Sequence, residues 1–493
     1  MNAITEQGGA VRPQFLGIAS PPLPVWIGAA SLLAIAALLL GPVVLGLLLI
    51  LLLAAAMVPR YRVAFLAFMC FLPSLGELES NAYLPNIWLV FYAILLASWL
   101  YTALTRPRKI YLDLAITSAY CAFLLVCLLS EIGSYDLTAF RGVTLAASPN
   151  RIIWEPLLVT STAILAMSGF ENRDQLRRIL WALVLSGIVY APTVFFWGTE
   201  SEAGGRRSGV FTDAGPASIH MLFCTIAALS LLRSSSKGAR IVLSAAAGLF
   251  LVTQLFTVSK SVMVVAVVLV LLSALIDGGI KRLGTAVLVL TLVAGLAFVV
   301  APDRIRAPVA QIITSLLFDS QAVAADMGGR VSTFAARTWS VEAGLRAASE
   351  HPWLGVGWGK HMTWIGLNDP MDAGNATSVE FHVRYIIILA EVGITGFLIY
   401  LGIIYLTLRT NLRLLRRFRD GGDAAMFSIA KGLLLSMVAV LVTFLAAPGR
   451  QDGAMIFWVL VGLTAALGRL AAEEKTVFAS TGAAALAQPG NED

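Results

Sequence analysis

The chain has 493 residues, of which 58% are hydrophobic and 13% are charged, and its formal net charge is +6. With a mean hydropathy of +0.83, this composition excludes a soluble globular protein and is typical of a polytopic membrane protein. A positive charge can indicate nucleic-acid binding, but most Lys and Arg residues lie in short connections between apolar runs, where they orient helices. We therefore expect no nucleic-acid partner.

Residues 1–23 contain several prolines and lack the charged-then-apolar layout of a removable signal peptide. We expect a cytoplasmic N-terminal segment, followed by insertion through the first span. All four cysteines fall within apolar segments and show no metal-binding spacing. The sequence therefore predicts neither a metal site nor a cofactor.

Apolar runs of membrane-spanning length, bounded by charged residues, Pro or Gly, predict an all-α bundle of about twelve to fourteen transmembrane helices. They form one group within 24–301 and a C-terminal group within 381–472. The predicted limits are 24–40, 42–58, 62–75, 85–104, 112–131, 152–169, 178–198, 217–232, 241–258, 261–277, 284–301, 381–408, 425–447 and 455–470. The first two spans abut at Gly41–Pro42, so they form either a tight hairpin or one kinked helix.

Positive charge is distributed unevenly between alternate connections. With the N-terminus in the cytoplasm, the basic connections all fall on the cytoplasmic side, as the positive-inside rule requires. They contain Arg60/Arg62, Arg106/Arg108/Lys109, Arg173/Arg177/Arg178, Arg233/Lys237/Arg240, Lys281/Arg282 and the run Arg409, Arg413, Arg416, Arg417, Arg419. The charge pattern therefore predicts that both termini are cytoplasmic.

One outer connection, residues 302–380, is far longer than an ordinary connector. Within it, 303–317 has an apolar side typical of an interfacial helix, and 333–349 is predicted to be a second helix. The Asn, Asp, Gly and Pro content of 366–379 favours turns or a mobile lid. At the other end of the chain, 473–493 is predicted to be cytoplasmic, with an Ala/Gly-rich disordered tail after about residue 476.

A pair of arginines stands beside glycines just before a predicted span. The segment GGRRSGVF at 204–211 places Arg206 and Arg207 in an outer connection, where the positive-inside rule disfavours basic residues. Guanidinium groups bind phosphate oxygens in a bidentate manner, and adjacent glycines let an anion approach the main chain. We therefore expect an anionic ligand here; anchoring to lipid headgroups is the alternative.

The long outer connection offers further arginines. Arg330 and Arg337 are seven residues apart, which on a helix places both on nearly the same face, where they could clamp a diphosphate. Arg346 has an acidic residue four positions away on either side and is interpreted as a structural helix charge. The alternating glycines at 355–359 resemble a phosphate-binding loop only superficially, because no strand precedes them.

His382 opens the span that follows the outer connection. A histidine at the mouth of a membrane protein can remove a proton from a hydroxyl group; a polar residue that merely starts a helix at the water boundary is the alternative. His351 is expected to end a helix before Pro352. His220 and His361 are weaker candidates that are expected to line the cavity.

Two ionisable residues lie within the span that His382 opens. Arg384 can pair with Glu380, four residues earlier. Glu391 lies two turns deeper, and an ionisable residue inside a span is a functional hypothesis by default, with helix packing as the alternative. Glu391, Arg384 and His351 are therefore possible site residues.

Three motifs, in this order, resemble the O-antigen ligase and polysaccharide polymerase superfamily of bacterial inner-membrane glycosyltransferases. They are R-x-x-G-x-F at Arg206–Phe211, an Arg followed fourteen residues later by HPWLGVGWG at 351–359, and FHVRYIIILAEVGITGFLIYL at 381–401. The large outer connection before the last spans is also similar to that superfamily.

The resemblance implies transfer of glycan from an undecaprenyl-diphosphate carrier to a sugar hydroxyl, on the periplasmic side of the bacterial inner membrane and without a metal or cofactor. It implies that His382 is the catalytic residue and that Arg206 and Arg337 bind the diphosphate. Arg330 and Arg207 are further candidates for diphosphate binding.

The chain departs from the superfamily pattern at two places that concern acceptor alignment. Val383 stands where the family's His-Asn motif has Asn, and Asp213–Ala214–Gly215 stands where members usually have an Asn-containing turn. Because of this divergence, we favour a polymerase of exopolysaccharide or O-antigen repeat units over a ligase. The expected partners are the lipid-linked oligosaccharide, a glycan or lipid A core acceptor, membrane lipids and other polysaccharide assembly proteins.

Two other protein classes stay open. A lipid-linked glycan flippase or transporter would predict charged or broken helices near mid-membrane and an inverted repeat, neither of which is evident in the sequence. A structural scaffold of an envelope-assembly complex is compatible with the fold but does not explain the outward arginines.

Overall fold

The computed structural model describes residues 52–71, 87–106, 110–133, 155–196, 200–201, 206–207, 214–257, 259–300, 333–361, 364, 383–445 and 451–486, apart from some side chains within these ranges. The chain divides into two units. The first is residues 1–56, of which 52–56 are described and helical. The second is residues 57–493.

The described part of the second unit is a helical bundle with one small hairpin. Its helices are α1 (Tyr61–Phe71), α2 (Ile87–Thr105), α3 (Leu114–Gly133), α4 (Glu155–Met167), α5 (Arg173–Phe196), α6 (Ala214–Leu231), α7 (Lys237–Thr257), α8 (Lys260–Val300), α9 (Thr333–Glu350), α10 (Arg384–Asp420), α11 (Ala424–Thr443) and α12 (Gln451–Leu486). The hairpin joins α5 to α6 and consists of β1 (Glu200–Ser201) and β2 (Arg206–Arg207), which pair antiparallel. This architecture confirms the predicted all-α polytopic bundle.

The predicted spans from 62–75 onward each coincide with a described helix. Within the described part of the chain, seven helices are long and apolar enough to cross a membrane, and three shorter helices are also apolar. The spans predicted for 24–40 and 42–58 lie almost wholly outside the described residues. The helix predicted for 333–349 is confirmed as α9, whereas the segments 303–317 and 366–379 lie outside the described residues.

Helix α8 contains a break that separates the two spans predicted for 261–277 and 284–301. Gly278 and Gly279 leave the helical conformation, and Gly279 has a φ of 65°. The turn before the break is held by helices α10 and α11, because Lys431 Nζ lies 2.6 Å from Asp277 Oδ2 and Arg419 donates to the carbonyl of Ile276. The break therefore replaces the short connection expected between these spans.

Helix α10 continues well beyond the predicted limit of residue 408. The basic run expected in a connection forms its last turns instead, up to Asp420. Leu and Arg are good helix formers, and cations near a helix C-terminus interact favourably with the helix dipole. Gly422 then adopts a positive φ of 69°, and the carboxylate of Asp423 caps α11 by accepting from Met426 N at 3.0 Å.

Helix α12 runs through the interior and packs most extensively against α4. Its 454–474 region is largely buried. Gly462 allows the close crossing, because a Cβ there would lie 2.2 Å from the carbonyl oxygen of Ala163. The described helix continues to Leu486, through the first part of the tail for which disorder is predicted after about residue 476; alanine, abundant there, is the strongest helix former.

Charged residues join the helices at one end of the bundle, here called the Arg173 end. Arg173 donates to both carboxylate oxygens of Glu474, at 2.7 and 2.8 Å, and also to Asp423. Arg62 pairs with Glu171. These residues all come from segments predicted to be cytoplasmic. Residues assigned to the cytoplasmic side of the membrane are therefore in contact with each other. We expect the Arg173 end to face the cytoplasm.

Candidate functional site

Helix α10 is interrupted at Gly393, near the end of the bundle opposite Asp420 and the Arg173 end. Gly393 has φ 63° and ψ −172°, a conformation that is essentially restricted to glycine. Helical hydrogen bonding stops there, so the carbonyl groups of Ala390 and Glu391 and the amide of Ile394 require other partners.

Those partners come from the segment that follows α9, residues 351–361, here called the glycine loop. Two of its amides donate to the freed carbonyl groups, and one of its carbonyl groups accepts from the freed amide. The bonds are Val356 N to Ala390 O (2.9 Å), Gly357 N to Glu391 O (3.1 Å) and Ile394 N to Pro352 O (2.8 Å). The glycine loop therefore completes the main-chain hydrogen bonding of a broken membrane helix.

The alternating glycines of this loop have a conformational explanation, and Gly355 also has a steric one. All three have positive φ values: 73° at Gly355, 106° at Gly357 and 72° at Gly359. A Cβ on Gly355 would lie 2.3 Å from the carbonyl carbon of Glu391. The motif thus serves close contact with α10, and two of the loop amides are bonded to that helix, which argues against the superficial likeness to a phosphate-binding loop.

Glu391 lies at the centre of this contact and is only 2% exposed. Its carboxylate is hydrogen-bonded to Nδ1 of His361. Its main-chain oxygen also accepts from Ser130 Oγ of α3 at 2.6 Å. An ionised carboxylate only accepts hydrogen bonds, so we assign Nδ1 of His361 as the donor of this bond.

The residue before His361 makes a second attachment. Lys360 is buried, and its Nζ lies 2.8 Å from Glu131 Oε1 near the end of α3. Buried charges are tolerated when they are paired, and here each carboxylate comes from a different spanning helix. Consecutive residues thus attach the glycine loop to α3 through Glu131 and to α10 through Glu391.

Arg384, the first residue of α10, adds a cation at the same end of the bundle. Its guanidinium carbon lies 5.8 Å from the centre of the Trp358 ring, within cation–π distance. Its amide donates to the carbonyl of Phe444 at 2.9 Å. Among the described residues, no carboxylate forms an ion pair with Arg384. Its charge can therefore attract an anion.

Aromatic side chains support the glycine loop from within the bundle. Trp358 is buried and meets Phe123 of α3 edge to face, with ring centres 5.7 Å apart. The layer continues through further rings from α10 and α12, namely Tyr400, Phe457 and Trp458. Edge-to-face and tilted ring contacts are favourable, so the glycine loop packs on a continuous aromatic layer.

The structure describes the main chain of three of the four arginines predicted to bind diphosphate, but not their side chains. Arg206 and Arg207 form β2, paired with Ser201 and Glu200 respectively. Arg337 lies in the first turns of α9. That helix packs on α10 at Gly344, where a Cβ would lie 2.2 Å from Ile386 Cγ2.

Two other predicted residues, His382 and Arg330, lie outside the described residues. His351 follows the last residue of α9, as expected. Its amide donates to Ala347 O and its carbonyl accepts from Gly355 N, both at 3.0 Å. In the described contacts, the main-chain amide and carbonyl of His351 therefore close the turn that follows α9.

His220, a weaker candidate, lies elsewhere in the bundle. It is buried, its Nε2 lies 3.0 Å from Ser186 Oγ, and it borders an apolar cavity together with side chains such as Leu180 and Phe223. His220 therefore lies at an internal cavity of the bundle, and its expected place at the cavity of the candidate site stays a prediction. The other weak candidate, His361, contacts Glu391 at the glycine loop instead.

Residues 222–401 match the family model of O-antigen ligase. This match confirms the resemblance drawn from the sequence motifs. The O-antigen ligase region runs from α6 into α10 and contains the glycine loop, Glu391, Arg384 and the positions of Arg330, Arg337 and His382. It does not include Arg206, Arg207 or Glu131. No curated protein matches the chain significantly.

The O-antigen ligase region also contains functional candidates that the sequence motifs do not reveal. Lys360 and Trp358 were not singled out from the sequence, and His361 was only a weak candidate. The one feature of the sequence that could have indicated these residues is their position in the GVGWG segment or directly after it. The sequence does not show that His361 and Lys360 pair with carboxylates at positions 391 and 131, because those contacts depend on the break in α10.

This end of the O-antigen ligase region can bind an anion and orient a hydroxyl group. Arg384 supplies positive charge, and His361 supplies an imidazole whose tautomer a carboxylate holds. Among the described residues, no group of three or more His, Cys, Asp or Glu side chains could hold a metal ion.

Proposed function

We propose that the chain is an inner-membrane glycosyltransferase that transfers glycan from an undecaprenyl-diphosphate-linked donor to a sugar hydroxyl. The observation that carries the proposal is the O-antigen ligase match over residues 222–401. The match coincides with a glycine loop that joins the helix bearing Arg337 to the start of the helix bearing Arg384. An enzyme that uses a lipid-linked donor needs an active site that the donor can enter from the bilayer.

The proposal assigns the diphosphate to guanidinium groups. Arg206 and Arg207, with Arg337 or Arg330, hold the phosphate oxygens, and Arg384 adds positive charge nearby. Arginine binds phosphate in a bidentate manner, and preorganised charge of this kind stabilises a developing anion by several kcal/mol per well-placed donor. The guanidinium groups thus take the role of neutralising the leaving group without a metal.

The chemical step in this proposal is a direct displacement with inversion. His382 removes the proton from the acceptor hydroxyl as general base, and the hydroxyl oxygen forms the new bond to the anomeric carbon. The bond between that carbon and the phosphate oxygen breaks, and undecaprenyl diphosphate leaves with the electron pair. General-base catalysis typically contributes about 10²–10⁴-fold.

The acceptor distinguishes two enzymes. If it is another lipid-linked repeat unit, the protein is a polymerase of exopolysaccharide or O-antigen; if it is lipid A core, the protein is a ligase. We propose that the protein is a polymerase, because Val383 and Asp213–Ala214–Gly215 depart from the usual family pattern at positions that concern acceptor alignment. In both cases the site faces the periplasm, and membrane lipids and other polysaccharide assembly proteins are its partners.

A flippase or transporter is the alternative from another class, and broken helices are one of its characteristics. The break at Gly393 does not favour it. The carbonyl groups freed there accept from Val356 and Gly357 of the glycine loop rather than lining a passage. The break in α8 falls at a connection between two predicted spans.

The test uses purified protein in lipid nanodiscs and lipid-linked oligosaccharide extracted from a source strain that lacks this gene. Arg206→Ala, Arg337→Ala and His382→Ala should each reduce glycan extension about 10²–10³-fold. Arg346→Ala is the matched control, since Arg346 is exposed on the same helix as Arg337. Wild-type extension by the His382 variant would remove its assignment as base, and absence of transfer by the wild-type protein would refute the function.

A second arm supplies lipid A core as acceptor. Extension of the donor alone supports the polymerase, whereas transfer that occurs only when lipid A core is added identifies a ligase.

A further inference from the structure

We propose that Glu391 is a positioning residue that holds His361 as a hydrogen-bond acceptor for a hydroxyl group of the incoming glycan other than the one that His382 deprotonates. This inference rests on the proposed function, because it requires an acceptor with a hydroxyl group. It assigns to His361 a place in the site that the sequence motifs do not indicate.

The first observation is the chemistry of the pair. The Glu391 carboxylate is 3% exposed, and it contacts Nδ1 of an imidazole that is 15% exposed. A buried carboxylate that accepts from Nδ1 selects the tautomer in which Nε2 carries a lone pair. Such a carboxylate–imidazole pair presents an acceptor with a defined orientation.

The second observation is the rigidity of the surroundings. The main chain of Glu391 is held by Gly357 N and by Ser130 Oγ, and Gly393 behind it contacts the main chain of Trp353. The carboxylate therefore has little freedom to move away from His361. A group held this firmly can position another side chain within a fraction of an ångström.

The third observation is location. His361 lies at the end of the glycine loop that packs on Glu391, and Arg384 lies two turns before Glu391 on the same helix. The diphosphate that Arg384 attracts and the hydroxyl that His361 accepts from would thus be bound at the same end of the bundle. A transferase needs both substrates within reach of each other.

If Glu391 and His361 had a purely structural role, a different result would be expected. The pair Lys360 and Glu131 serves as a control. Lys360 and Glu131 attach the adjacent loop residue to α3 in the same way. Glu391→Gln keeps the size and an accepting oxygen, so the loop stays attached while the charge facing His361 is lost. Glu131→Gln removes the equivalent charge from the neighbouring attachment and leaves His361 untouched.

The experiment measures two quantities for wild type, Glu391→Gln, His361→Ala, the double variant and Glu131→Gln in nanodiscs. One is glycan transfer from extracted lipid-linked oligosaccharide, and the other is the rise of the thermal midpoint caused by undecaprenyl diphosphate alone. We expect Glu391→Gln and His361→Ala to reduce transfer about 10–100-fold, as loss of an orienting partner does, with the rise in midpoint preserved. Glu131→Gln should retain more transfer than Glu391→Gln, because it leaves the contact between Glu391 and His361 intact.

The double variant shows whether Glu391 works through His361. Glu391→Gln should reduce transfer no further when His361 is already Ala, because their effects are then fully coupled. Additive losses, equal losses in Glu131→Gln, wild-type transfer by Glu391→Gln, or loss of the undecaprenyl diphosphate effect would each overturn the inference. Failure of the wild-type protein to transfer glycan would instead refute the proposed function.

Discussion

Gly355 and Gly393 face each other across the contact between the glycine loop and α10. A Cβ on Gly355 would lie 2.3 Å from the carbonyl carbon of Glu391, and a Cβ on Gly393 would lie 2.4 Å from that of Trp353. Both residues also have positive φ values, 73° and 63°. No other residue type fits at either position without movement of a main chain.

Substitution of either glycine by alanine should therefore destabilise the protein. We expect Gly355→Ala and Gly393→Ala to lower the free energy of unfolding by about 2–4 kcal/mol, from the positive φ and the steric overlap together. Thermal unfolding of the detergent-solubilised protein measures the loss. Gly359→Ala is the control, because its φ is 72° but nothing lies within 4 Å of its Cβ position; an equal loss there would contradict the role of close contact.

The crossing of α12 over α4 gives a second prediction about packing. A Cβ on Gly462 would lie 2.2 Å from Ala163 O and 2.6 Å from Ala166 Cβ, so Gly462→Ala should cost about 1–3 kcal/mol. Gly468→Ala, on the same helix, would make only an ordinary contact of 3.5 Å with Thr410. Since alanine favours helix by about 1 kcal/mol over glycine, this control should be neutral or stabilising. A fall in the unfolding midpoint for both variants would contradict the close crossing.

The cluster around Arg173 predicts a difference between two arginines of α5. Arg173→Lys loses the two parallel bonds to Glu474, since a lysine ammonium cannot form them, and should cost about 1 kcal/mol. The value is modest because 38% of the Arg173 side chain is exposed, so solvent screens the charges. Arg177→Lys should change stability little, because its partner Asp174 is 76% exposed. Equal midpoints for both variants in thermal unfolding would mean that the fork of Arg173 contributes nothing.

Cysteine labelling tests which end of the bundle faces the cytoplasm. In a variant that lacks the four native cysteines, Trp353→Cys should react with a membrane-impermeant maleimide in intact spheroplasts, because Trp353 is 72% exposed at the glycine loop. Asp174→Cys, at the Arg173 end, should react only after permeabilisation. The reverse pattern would overturn the orientation expected from the positive-inside rule.

The positions of the spanning helices could be predicted from the sequence because the length of an apolar run and the charges that flank it determine where a chain crosses a bilayer. The end of α9 was predictable from local sequence as well, because a helix usually ends at or before the residue that precedes a proline, here Pro352. The length of α10 was not, since Arg413 and Arg417 were interpreted as a loop although arginine extends a helix well.

The glycine loop shows where prediction from local sequence stops. Its motif supported the family resemblance, yet its contact with α10 joins residues nearly forty positions apart and depends on the break at Gly393. Nothing in the neighbouring Ile and Val residues signals that break. Glu391 could be singled out as an ionisable group inside a span, but its partner His361 could be identified only once the loop had been placed.

The main-chain bonds between Pro352, Val356, Gly357 and α10 also determine how the protein can be dissected. A fragment containing only residues 302–380 would lack α10, whose main chain the glycine loop contacts. A membrane portion without residues 302–380 would leave the carbonyl groups of Ala390 and Glu391 and the amide of Ile394 without their main-chain partners. The glycine loop is consequently an integral part of the membrane bundle, and neither piece should be expected to fold without the other.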